Sequence, residues 1–110
     1  MKRHNLTPDE REEKLIEVTR RLLAGEIREG DVLRILRRDV LGLSQNDYAK
    51  LVSISRRTLS DMEGDKGNVT LEVMNRVFRP LGLKVCLMPR QPALIEKVME
   101  KELEEERWQD

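Results

Sequence analysis

The sequence predicts a mostly α-helical fold with a single short strand near its C-terminal end, and three observations carry that prediction. Apolar residues recur at helical spacing in successive stretches, most of which open on a side chain able to cap a helix. Aromatic residues make up 3% of the chain and charged residues 38%, a balance that suits an aliphatic core under a heavily solvated surface and disfavours aromatic-rich sandwiches and barrels. One stretch, LKVCLM, lacks helical spacing and lies between Gly82 and Pro89, as a strand would. With 110 residues the chain can build one domain around one core.

Met1 to Asn5 reads as a polar tail in which Lys2, Arg3 and His4 supply basic character; His4 has no second ligand nearby in sequence, so no metal site is expected. Thr7-Pro8-Asp9-Glu10 is a compact helix start, with Thr7 at the N-cap, Pro8 at the first helical position and Glu10 closing a capping box. That helix extends to about Ala24, burying Leu15, Val18 and Leu22 with Ile16 and Leu23 at the margins. Gly25 and Gly30 bracket a connection with a helix C-cap and a turn. Asp31 caps the next helix, whose inner face is Leu33, Leu36 and Val40 with Val32 and Leu41 beside them, and Gly42 ends it in a left-handed conformation.

The stretch SQNDYAKLVSISRRTLSDME, Ser44 to Glu63, reads as two short helices joined by a tight turn. Ser44 caps the first, with Asp47 at N3, and Ser55 caps the second; the pairs Leu43/Tyr48 and Ile54/Leu59 form hydrophobic staples that fix how the chain approaches each helix. Ala49 permits close helix approach. Tyr48, Val52, Ile54, Leu59 and Met62 point inward, while Gln45, Arg56, Arg57, Ser60 and Asp61 face out. A polar loop, GDKGN, follows. Thr70 caps a further helix with Leu71, Met74, Val77, Phe78 and Leu81 on its apolar face, and Pro80 terminates it.

For Leu83, Lys84, Val85, Cys86, Leu87 and Met88 the expectation is a strand. No second strand candidate exists in the chain, so its free backbone groups would pair with the same strand of a second copy, giving a homodimer. Pro92 opens a last helix with Leu94, Ile95, Val98, Met99 and Leu103 at helical spacing and an acidic far face, packed near its start and frayed beyond. That acidic tail reads as a solvated face that could instead mask the basic DNA surface or meet a basic partner, with Trp108 as its natural anchor. Cys86 is the only cysteine, so disulfides within the chain and cysteine-based zinc sites are excluded; within an apolar strand it would be a buried small hydrophobe.

At Leu43 to Glu63 the pattern L-S-Q-x-x-x-A-x-x-V-x-I-S-x-x-T-L-S-x-M-E resembles the Cro/C1-type (XRE-like) helix-turn-helix regulators. The resemblance covers about Asp31 to Leu81 and implies a lambda-repressor-like DNA-binding domain. One departure concerns the turn: Ser53 stands where the family usually has Gly, and a serine is less free to take a positive φ. A narrower likeness, in TLEVMNRVFRPLGLKVCLM from Thr70 to Met88, is to the fourth helix and dimer-forming strand of HipB-like antitoxins. It implies a repressor dimer that also binds a HipA-like kinase toxin.

The chemistry of the second motif helix agrees with a nucleic-acid role. Two cations in a first helical turn oppose the helix dipole, at about 0.3–1 kcal/mol each, so stability alone would not select Arg56 and Arg57 there. In a major groove the same arginines can bond guanine O6 and N7, worth about 1–3 kcal/mol of discrimination. Ser44, Gln45, Lys66 and Asn68 are candidates for phosphate contacts, with simple capping and solvation as the alternative; Ser55, Thr58 and Ser60 could meet bases or phosphates. Charge is distributed accordingly. Between Asp31 and Arg90 eleven Lys/Arg face seven Asp/Glu, a net +4, whereas Gln91 to Asp110 carries three against seven, a net −4.

The expected organisation is a tail and leading helix at 1–30, a DNA-binding domain at 31–82, a dimerisation strand at 83–89 and an acidic helix at 90–110. One histidine, one cysteine and no phosphate loop argue against an enzyme, a cofactor or a metal. No apolar run reaches the roughly 20 residues that span a bilayer, and the N-terminus lacks a signal-peptide apolar segment, so a cytoplasmic location is expected. The reading is therefore a transcriptional repressor and antitoxin that binds a palindromic operator as a dimer. The alternative is an interaction module that uses the same fold to inhibit a partner protein without specific DNA binding.

Overall fold

A computed structural model describes residues 6–108; the basic segment Lys2, Arg3 and His4 lies outside the described residues, as does the side chain of Trp108. The chain forms α1 (Pro8–Leu23), α2 (Glu29–Ile35), α3 (Gln45–Leu51), α4 (Arg56–Glu63), α5 (Leu71–Phe78) and α6 (Pro92–Trp108). A π-helical turn, Leu36–Val40, prolongs α2, and a 3₁₀ turn, Arg79–Leu81, prolongs α5.

The helix starts follow from local chemistry. Thr7 Oγ1 accepts from the Glu10 N–H at 3.1 Å while Glu10 Oε1 accepts from the Thr7 N–H at 3.0 Å, a complete capping box. Ser44, Ser55 and Thr70 each accept from the N–H three residues on. Asp31 does not act as a cap. The helix begins two residues earlier, at Glu29, and Asp31 accepts from the Arg28 N–H at 3.1 Å from the third helical position.

That earlier start places Gly30 in the first turn of α2 rather than in a turn between helices. A Cβ on Gly30 would lie 2.5 Å from the Glu63 carbonyl oxygen and 2.7 Å from that of Met62. The glycine lets α2 touch the end of α4 backbone to backbone, and its N–H donates to Asp65 Oδ1 at 3.0 Å.

The core is continuous across α1 to α5: Val18, Val32, Leu33, Leu36, Tyr48, Ala49, Val52, Leu59, Met62, Val77, Phe78 and Leu81 are buried together. Tyr48 is fully enclosed, and its hydroxyl donates to the Val77 carbonyl. Burial pushes the Tyr48 phenol well above its ordinary pKa, so it stays a neutral donor. Two expected core positions are outside: Ile16 is 60% exposed and Leu71 is 64% exposed. Each lies at the margin of its helix face, where spacing alone does not separate core from rim.

The expected dimerising strand is absent. Among the described residues there is no strand, and Leu83 to Met88 runs as irregular chain. A strand requires a neighbour to complete its backbone bonds, and here two of those groups find partners on α5 instead: the Leu83 N–H donates to the Phe78 carbonyl and the Val85 N–H to Asn75 Oδ1, at 3.1 and 3.0 Å. The rest faces solvent. Leu87 is fully exposed, Lys84, Val85 and Met88 are exposed, and Cys86 is an exposed free thiol rather than a buried hydrophobe. The fold is a helical domain without the sheet element.

Gly30→Ala should lower stability by about 1–3 kcal/mol, the range for overpacking a filled site, because the new methyl meets two carbonyl oxygens that belong to helix backbone. Chemical denaturation of the two proteins measures the difference.

Candidate nucleic-acid interface

Helices α3 and α4 meet through a turn whose geometry is set by a Schellman motif. The Ile54 N–H reaches the Ala49 carbonyl at 3.0 Å and the Ser53 N–H reaches that of Lys50 at 3.3 Å, with Ser53 at φ +58°. Serine thus occupies the left-handed position that glycine would take without strain. A second non-glycine residue with positive φ, Asp65 at +55°, ends α4 in the same way, through Lys66 N–H to Asp61 O and Asp65 N–H to Met62 O. The two strained positions therefore bracket α4. Arg76 of α5 holds the first of them: its Nη1 donates to the Ser53 carbonyl at 3.0 Å.

Beneath the motif lies an ion pair that no local pattern announces. Arg37 and Glu63 are each 6% exposed, and the guanidinium meets the carboxylate through two bonds, Nε to Oε2 at 2.6 Å and Nη2 to Oε1 at 2.9 Å. Arg37 Nη1 also donates to the Leu43 carbonyl at 2.7 Å, and Gln45 Nε2 donates to Glu63 Oε1 at 3.1 Å. One cluster thus ties the π turn, the start of α3 and the end of α4. Arg37 stands in a run with Arg34 and Arg38, and only the fold distinguishes it: Arg34 pairs with Asp31 near the surface, and Arg38 is exposed. Twenty-six residues separate the partners, too far for helical spacing to link them.

On this frame Arg56, Arg57 and Ser60 share one face of α4, all exposed. Among the described residues no carboxylate forms an ion pair with either arginine. Lys66 and Asn68 are exposed in the loop that follows α4, beyond its C-terminus. Ser44 and Ser55 spend their hydroxyls on capping; Ser55 Oγ also lies 2.8 Å from Thr58 Oγ1, so Thr58 is turned back toward the cap. Gln45 is drawn inward to Glu63 rather than left free on the surface. The nine candidate residues divide accordingly: five present free polar groups at α4 and its following loop, and four are engaged in holding helix ends.

A short helix fixed against a second, with free cations in its first turn and a polar loop behind it, is the arrangement of a major-groove reader. Residues 30–91 match the model of a helix-turn-helix domain family, which spans more than half of the chain. The chain belongs to that family of DNA-binding regulators. No curated protein and no solved structure matches it. No helix among the described residues is long and apolar enough to cross a membrane.

Removing Glu63 by Glu63→Ala leaves Arg37 buried without its counter-charge and should cost about 3–5 kcal/mol, read as a lower denaturation midpoint. Ser53→Gly should move the other way, by about 0.5–1 kcal/mol. The gain from relieving the left-handed serine exceeds the entropy cost of a glycine by roughly that amount.

Proposed function

We propose that the chain is a sequence-specific transcriptional repressor, cytoplasmic and non-enzymatic, which reads a palindromic operator as a homodimer. The observation that carries this reading is the exposed, unpaired Arg56–Arg57 pair at the start of α4. The first turn of α4 contains no acidic residue to complement the helix dipole. Those two charges are unfavourable in the free protein and become favourable against a guanine edge or a phosphate. Ser60 extends the contact face, Lys66 and Asn68 supply phosphate contacts from the loop, and the capped helix N-termini at Ser44 and Ser55 lie toward the phosphate backbone.

Within this reading the repressor is the antitoxin of a toxin–antitoxin operon, bound by a HipA-like kinase toxin. With the strand at Leu83 to Met88 gone, the support is the likeness of α5, from Thr70 onward, to HipB-like antitoxins. A kinase-like toxin encoded by the neighbouring gene would be the corresponding genetic observation. The alternative of a pure interaction module draws on α6, which extends from the body with an acidic surface.

Titration against the chain's own promoter and against random duplex tests the repressor. Arg56→Ala should erase about 1–3 kcal/mol of preference between them. Lys66→Ala should weaken both alike and reduce the salt slope by about one. Equal affinity of the unaltered protein for the two duplexes would sink the specific-regulator reading.

A further inference from the structure

Among the described residues, helix α6 is buried against the rest of the chain only near its start. Ile95 is buried, and Pro92 lies beside Gly25, where a Cβ would come 3.9 Å from Pro92 Cγ; every position from Glu96 to Glu106 is exposed. The exposed set includes Val98, Met99 and Leu103, with Leu94 before Ile95 exposed as well. Most helical stability in proteins comes from packing of an apolar face, and half of one face of this helix is apolar and uncovered.

The pattern along that face is asymmetric. Leu94, Ile95, Val98 and Met99 occupy it over the first two turns, and Glu102, Glu105 and Glu106 continue the same face over the next two. The N-terminal end carries the opposite sign. Arg90 precedes it, and its first turn contains no acidic residue, so the partial positive charge of the helix start is unanswered within α6.

We infer that α6 is the interface between two copies of this chain, packed antiparallel about a two-fold axis near Val98 and Met99. In that arrangement the exposed Val98 and Met99 of the two copies cover each other, while Ile95 stays packed on its own body. Glu105 and Glu106 stand about 10 Å from the axis along the helix, as do Gln91 and Pro92 of the other copy on the same side. Each acidic end thereby meets a helix N-terminus and Arg90, twice by symmetry. A parallel pairing would instead set the two glutamate clusters against each other. The inference rests on the homodimer proposed above and relocates its contact from the segment after α5 to the last helix.

Light scattering on the full chain, without DNA, should give the mass of a dimer, and Val98→Asp with Met99→Asp should give a monomer whose circular dichroism retains the signal of α1 to α5. Orientation is read by oxidative cross-linking in a Cys86→Ser background. Met99→Cys should couple to its own copy, and Glu102→Cys, which only a parallel pairing would bring together, should not. A monomeric unaltered protein, a dimer indifferent to the aspartates, or Glu102→Cys coupling to itself would overturn the inference. Promoter titration is scored separately: specific binding by a monomer removes only the α6 interface, and a dimer with no operator preference removes only the repressor reading.

Discussion

The orientation of α4 depends on a buried charge pair more than on any apolar contact. Arg37 and Glu63 join the π turn to the last residue of α4, and each makes one further bond, Arg37 to the Leu43 carbonyl and Glu63 from the Gln45 amide. Among the described residues no buried side-chain polar atom lacks a partner. Desolvating two ions is expensive, and a well-packed apolar pair of equal volume can be as stable. Net stability is therefore a poor account of the pair. What it does supply is direction, since a bidentate fork is satisfied in one relative placement of α2 and α4 whereas leucines tolerate several.

The π turn belongs to the same constraint. Its wider ring, seen in the Leu41 N–H reaching back to the Leu36 carbonyl at 3.1 Å, sits where Arg37 turns into the interior. Gly30 completes the contact from the other end of α2, letting the backbone of that helix rest on the carbonyls of Met62 and Glu63. With Asp65 bonding the Gly30 N–H, the strained residue at the end of α4 is held by the helix it packs against. Strain at Ser53 is likewise opposed by Arg76 from α5. Both ends of α4 are fixed by groups outside the motif.

Much of this was legible in the residues alone, and the boundary is physical. Caps at Thr7, Ser44, Ser55 and Thr70, the left-handed Gly42 and the inward set Tyr48, Val52, Leu59 and Met62 depend on neighbours within a few positions, and local pattern finds them. Gly30 and Asp31 looked like a turn and a cap because their true partners, the end of α4 and the Arg28 N–H, offer no local cue that tells a first turn from a cap. Choosing Arg37 from its run required knowing where Glu63 would be. The segment from Leu83 to Met88 has the composition of a strand, but strand formation is a property of a pair, and Asn75 took one of the groups a partner would have used.

The self-contained helix starts have a kinetic consequence. Each of α1, α3, α4 and α5 carries its cap within three residues of its own beginning, so nucleation of these helices requires no long loop to close. Domains dominated by such short-range contacts reach their native state in roughly microseconds to milliseconds. The slower steps are then the long-range ones, among them the meeting of Arg37 with Glu63 and of Gly30 with Asp65, and helices as short as α3 and α4, marginal on their own, persist only once such contacts form.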